Sequence, residues 1–302
     1  MKKLYIGFVR GGLVLLSKLP LKFHYFMADI FTWFIKKIMK YRTDVVWTNV
    51  ARSFPDLKYG ELAKIVNDFY DHLGEIMAEA IWFSGSSYKR LYDSGIVTVM
   101  NPQEITDIYE NSPSVTVLST HCGNWELLGG FLGYRTPDGR KVGFGEECIT
   151  VVYKKLRSEV FDRVFALNRV SPLEVVGTEC EVESKNILRF AIQHRNEKRV
   201  YIYPTDQAPY QSTGKHPMGL FMNQPTNAML GSAVVASKLS HAVVYMKMKR
   251  VERGRYEMSL IPICADASQY KPEEIMRKYY DLLEAEINET PANWLWSHKR
   301  WK

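Results

Sequence analysis

Apolar positions along this chain follow two periods. Leu62, Ile65, Val66, Phe69, Leu73, Ile76, Met77 and Ala80 recur at three- and four-residue steps, which predicts a helix over 56–83. Beyond it, short apolar runs alternate with helical patterns. Strands are expected at 115–118, 149–153, 173–176 and 200–203, and helices at 125–133, 158–168, 184–194 and 226–239. Segments 242–251 and 255–262 read as a hairpin turning at Arg253-Gly254. A closing helix over 272–289 carries Pro272 in its first turn. Strand–helix alternation argues for an α/β fold with a mostly parallel sheet covered on both faces. Ligands of such sheets bind beyond the carboxyl ends of strands. His121 follows the run at 115–118 and Asp206-Gln207 follows the run at 200–203, so two polar clusters are placed to meet in one crevice.

The first 42 residues break this pattern. They hold nine basic residues against Asp29 alone, a charge of +8, which leaves −1 for the other 260 residues of a chain whose net charge is +7. The bases are interleaved with Leu4, Tyr5, Phe8, Leu13–Leu16, Phe26, Phe31, Trp33 and Phe34. That mixture suits a helical segment lying on an anionic membrane. A nucleic-acid binder would more often spread positive charge over its folded body. No small-residue cleavage site follows Leu13–Leu16, so a removable signal peptide is disfavoured. Arg10 and Lys18 interrupt the ~20 apolar residues that a spanning helix needs. A monotopic or shallow anchor over 1–42, followed by an α/β body over 43–302, is therefore expected, with a single span as the alternative.

With 302 residues, 46% of them hydrophobic, the chain can bury a large core. Cys122, Cys148, Cys180 and Cys264 are scattered, with no Cys-x-x-Cys, and the seven histidines form no His-Glu-x-x-His. Neither a zinc site nor a disulfide framework is expected. Gly-x-Gly-x-x-Gly and the P-loop are absent as well, so no metal and no nucleotide cofactor is inferred.

The candidate chemistry lies in Thr120-His121-Cys122-Gly123-Asn124-Trp125-Glu126. Imidazole is the usual general base near neutral pH. A carboxylate that holds the ring in one tautomer also stabilises the imidazolium. No Gly-x-Ser-x-Gly elbow supplies a protein nucleophile, so the base would act on a substrate hydroxyl. Five residues turn about 140° on a continuous α-helix. His121 and Glu126 therefore converge only across a strand-to-helix junction. The plainer alternative is a capping histidine with a first-turn Glu favoured by the helix dipole. Gly123 would let backbone approach the substrate. Amides at the helix start are candidate oxyanion donors. Asn124 is either another such donor or the N-cap. Tyr153, Lys154, Lys155 and Arg157 form a basic loop that either grips phosphate or is merely solvated. Asp206 and Gln207 are either turn residues or a polar wall of the site.

The chain resembles the bacterial lipid A biosynthesis late acyltransferases, the lauroyl/myristoyl family. The resemblance rests on His121–Glu126, on Asn49-Val50-Ala51-Arg52-Ser53-Phe54-Pro55, on Asp206-Gln207, and on the ending Trp294-Leu295-Trp296-Ser297-His298-Lys299-Arg300-Trp301-Lys302. Val152-Tyr153-Lys154-Lys155-Leu156 falls where the family has Tyr-Arg-Pro-Leu, with Lys154 and Lys155 in place of Arg and Pro. Asn223 replaces a glycine in Phe221-Met222-Asn223-Gln224-Pro225. The resemblance implies a glycerolipid-acyltransferase-like fold at the cytoplasmic face of the bacterial inner membrane. It implies acyl carrier protein as donor and a hydroxyl of a lipid A precursor as acceptor. His121 would be the base, Glu126 its orienting carboxylate, and Gly123, Asn124, Tyr153, Lys154, Arg157, Asp206 and Gln207 would bind substrate. Two alternatives stay open: another glycolipid or aminolipid acceptor, or a catalytically silent lipid-binding protein.

Overall fold

A seven-stranded sheet organises the molecule, in the order β1 (Val97–Val99), β9 (Arg255–Cys264), β8 (Ala242–Glu252), β2 (Val115–Ser119), β5 (Val200–Pro204), β3 (Ile149–Tyr153), β4 (Glu181–Glu183). The computed structural model describes residues 2–155, 158–169, 171–173, 181–209 and 216–301. Strands β2, β3, β4, β5 and β8 run parallel. β9 is antiparallel to β8, and β1 lies parallel to β9 on the edge. The expectation of a mostly parallel sheet flanked by helices holds. The hairpin turns where expected, at Gly254, with φ 75°. The strand expected at 173–176 lies outside the described residues except for Leu173, and β3 pairs with β4 at 181–183 instead.

Side chains alternate across the sheet and build a core on each face. Leu118, Tyr201, Tyr203, Val243 and Tyr245 join one face. They pack with α4 (Tyr59–Phe83), α9 (Gly231–Leu239), α10 (Pro272–Glu289) and the carboxy-terminal tryptophans. Val115, Val117, Val200, Ile202 and Val244 join the other, under α5 (Tyr88–Ser94), α6 (Pro102–Glu110) and a turn of helix at Trp125–Gly133. That turn is 3-10 rather than α. Gly129, Gly130 and Gly133 lower its α propensity.

The expected helix over 226–239 begins only at Gly231, because Gln224–Asn227 (β7) pairs with Pro217–Phe221 (β6) as a two-stranded hairpin. Met222 and Asn223 turn it with φ of 49° and 60°, the left-handed backbone that Asn tolerates. Asn223 also donates to the Ser53 carbonyl at 3.0 Å, which ties the hairpin to the end of α3 (Thr43–Ser53). From the same helix, Asn49 donates to the carbonyls of Trp296 and His298 at 2.8 and 2.9 Å. Trp294 and Trp296 are buried in the core.

At the amino terminus α1 (Lys2–Ser17) and α2 (Leu21–Lys37) meet at a bend of 113°. No single helix among the described residues is long and apolar enough to cross a membrane. α2 packs on α4 through His24, Ala28, Thr32 and Ile35. The crossing is close: a β-carbon on Gly74 would stand 2.0 Å from Thr32 Oγ1. The outer faces of both helices remain apolar, with Phe8 81% and Trp33 58% exposed.

Candidate functional site

His121 and Asp206 meet because β2 and β5 are register neighbours. Ser119 pairs with Pro204, and each side chain stands two residues beyond that pair. Asp206 Oδ1 lies 2.7 Å from His121 Nδ1. Asp206 Oδ2 accepts from the His121 amide at 3.0 Å and from Trp294 Nε1 at 2.9 Å. Two fixed donors on one oxygen leave the other for the ring, so Nδ1 carries the proton. Burial pushes the Asp206 carboxyl up, but the charge and hydrogen bonds of His121 outweigh this and hold it at about 2. For His121 itself burial favours the neutral ring. The Asp206 charge and hydrogen bond, joined by the Glu126 charge, override it and raise the imidazole above its ordinary value. The remaining nitrogen, Nε2, meets the Gln207 side-chain amide at 3.1 Å. That amide donates, and Nε2 is the basic lone pair.

The sequence reading gave ring orientation to Glu126; the fold gives it to Asp206. Glu126 is the second residue of the 3-10 turn, where it accepts from Trp125 Nε1 at 3.0 Å, while Trp125 lies 5.1 Å from the imidazole centroid. Asp206 correspondingly stands behind the histidine, 1% exposed, rather than forming a wall against substrate. Two further expectations are corrected. Asn124 is the N-cap, not an oxyanion donor. It is fully buried, its Oδ1 accepts from the Glu126 amide at 3.0 Å, and its Nδ2 donates to Glu79 at 2.6 Å. The amides just ahead of the helix are committed: Cys122 N–H to Thr120 Oγ1, Gly123 N–H to the Asn293 carbonyl and Asn124 N–H to Met248 Sδ. Gly123, with φ 60°, admits a neighbouring strand rather than substrate. A β-carbon there would lie 2.4 Å from the Met248 carbonyl oxygen.

A cleft of about 1310 Å³ opens over the ring. His121, Glu126, Tyr153, Lys154 and Gln207 line it, with Lys185, Glu146, Glu181, His216 and His298. Part of its lining is apolar: Leu128, Phe131 and Leu132 of the 3-10 helix, Ile149 and Val151 of β3, and Ile202 of β5. Lys155 is exposed, and Arg157 lies outside the described residues. Among the described residues no group of three or more His, Cys, Asp or Glu side chains is arranged to hold a metal ion.

Spacing alone did not reveal the Asp206 and Trp294 roles, since these residues lie 85 and 173 positions from His121. The signal available was topological: two polar clusters, each directly after a strand that reads as parallel.

Among curated proteins none matches the chain. The family model of the bacterial lipid A biosynthesis acyltransferases matches residues 2–302, essentially its whole length, and the protein belongs to that acyltransferase family.

Proposed function

We propose that this protein is an O-acyltransferase that moves a fatty acyl chain from an acyl carrier protein thioester to a hydroxyl of a lipid A precursor, at a membrane surface. The observation that carries this reading is His121, held by Asp206 with Nε2 basic and facing a cleft with an apolar stretch of lining.

In the proposed reaction the acceptor hydroxyl replaces the Gln207 amide at Nε2. His121 takes its proton as the oxygen attacks the thioester carbonyl, and Asp206 stabilises the imidazolium. The tetrahedral intermediate collapses by breaking the carbon–sulfur bond. The imidazolium then returns its proton to the departing thiolate, leaving an ester and a free thiol. The Glu126 charge favours the same imidazolium and stands where the acceptor enters. The apolar lining from the 3-10 helix, β3 and β5 suits an acyl chain, because burying its methylenes is favourable by about 0.8 kcal/mol each. Lys154 at the cleft offers charge to an acceptor phosphate or to the donor's phosphopantetheine.

The apolar outer faces of α1 and α2, flanked by Lys18, Lys22, Lys36, Lys37 and Lys40, support monotopic attachment to anionic lipid. The test is product identification by mass spectrometry with carrier proteins bearing chains of different lengths. A folded His121→Ala variant should lose at least about 100-fold in turnover, the scale of general-base catalysis. Turnover within a few-fold of the parent would remove His121 as the base.

A further inference from the structure

The catalytic loop is tied to α4, and α4 is tied to α2. Glu79, near the carboxy-terminal end of α4 and fully buried, accepts three hydrogen bonds. Asn124 Nδ2 and Tyr256 Oη donate to its Oε2 at 2.6 and 2.8 Å, and Tyr25 Oη of α2 donates to its Oε1 at 2.7 Å. One turn earlier, Glu75 receives Arg250 at 2.7 Å and Arg253 at 2.9 Å. Arg253 reaches on to Asp29 of α2 at 2.5 Å. His72, 3.5 Å from Glu75, contacts the Gly123 carbonyl through Nε2 at 3.0 Å. A carbonyl only accepts, so that nitrogen carries a proton.

Tyr25 is built in rather than incidental. Its ring lies under the Arg253 guanidinium at 5.2 Å. Its hydroxyl occupies the space that a β-carbon on Gly254 would take, 2.4 Å away. Burial pushes the Glu79 carboxyl up, and its three donors oppose that. Removing the Tyr25 hydroxyl leaves Oε1 buried and unpartnered. The carboxyl then protonates or rotates, and either change weakens the charge-assisted bond to Asn124. Asn124 caps the turn that carries Glu126 and stands three residues from His121.

We propose that Tyr25 and Asp29 of α2 are positioning residues for acyl transfer, acting through Glu79, Glu75 and His72 to hold Gly123 and Asn124, and with them His121, in productive geometry. The inference rests on His121 acting as base. One face of α2 is exposed and apolar and the other enters this network, so the seating of the amino-terminal helices sets turnover as well as attachment.

The experiment uses the full chain with a lauroyl thioester of acyl carrier protein and a lipid A precursor in mixed micelles. Tyr25→Phe should lower kcat about 10-fold, within the range that a displacement of about 1 Å produces. Its KM should stay within about two-fold, and its flotation with anionic vesicles should match the parent, because the removed hydroxyl faces Glu79. Tyr25→Phe combined with Asn124→Ala should be no slower than Asn124→Ala alone, because the two act along one path. Asp29→Asn, at an exposed carboxylate, should lower kcat in the same way along the Glu75 branch. Parental kcat in both α2 variants, or multiplying effects in the double variant, overturns the proposal. His121→Ala, assayed in parallel, reports separately: if it turns over normally, the base assignment itself fails, whereas an inactive His121→Ala beside a normal Tyr25→Phe removes only the role of α2.

Discussion

Asp206→Asn tests the charge arrangement at the ring with almost no change in shape. The native carboxylate serves three donors: His121 Nδ1–H on Oδ1, and the His121 amide and Trp294 Nε1–H on Oδ2. An asparagine has one acceptor oxygen. With that oxygen toward the amide and the indole, two donors stay satisfied, and the new NH₂ group points at Nδ1. The ring must then accept at Nδ1 and carry its proton on Nε2, where it can no longer take one from a hydroxyl. The opposite flip keeps the tautomer but sets two buried donors against an NH₂ group, each costing about 1–3 kcal/mol. The first orientation wins. The expected loss in kcat is about 10³-fold, close to 4 kcal/mol of transition-state stabilisation, within the range for general-base loss. Steady-state acyl transfer measures it, with the thermal melt and circular dichroism of the variant as the check on folding. A folded Asp206→Asn enzyme within about 10-fold of the parent would refute the assignment of Asp206 as the orienting carboxylate.

Since His121 is raised by Asp206 and Glu126, its neutral form is populated only at higher pH. The acid limb of kcat/KM against pH should therefore lie above the ordinary imidazole value and move down in Glu126→Gln; an unmoved limb would exclude an electrostatic role for Glu126. Gly123→Ala places a methyl group against the Met248 carbonyl at a left-handed φ, and chemical denaturation should show a loss of about 2–4 kcal/mol from strain and overpacking together. Phe8→Ala combined with Trp33→Ala should weaken partitioning onto anionic vesicles by about tenfold or more, given roughly 1.5–3 kcal/mol for each fully buried large side chain. Raising salt should weaken the intact protein only in part, because apolar insertion is not screened; full release by salt alone would make attachment purely electrostatic.

Local pattern was enough for the elements that pack along their own length. The apolar steps of α4 and the bounds of α10 follow from a helix burying one stripe. β2, β3 and β5 follow from short apolar runs, and the β8–β9 hairpin from the glycine that its turn demands. The order of β2 and β5 before two polar clusters was enough to anticipate that His121 and Asp206-Gln207 come together. The amino-terminal mixture of bases and aromatics was equally plain, because charge and hydropathy are properties of composition.

Tertiary structure decided who bonds to whom. Glu126, five residues from His121, is the nearer carboxylate in sequence, yet Asp206, 85 residues away, holds Nδ1, because neighbouring parallel strands bring their ends together whatever their separation in the chain. Gly123 and Asn124 looked like residues that face a substrate. Their neighbours, Met248 and Glu79, come from a strand and a helix whose approach no local pattern encodes. Thr226 and Asn227 looked helical, but pairing with β6 recruited them into a hairpin, since a backbone ladder outweighs the weak helix preference of a short polar stretch. Periodicity fixes which face of an element is buried; the partner across that face is set by packing, and here the partners are what orient the His121 ring.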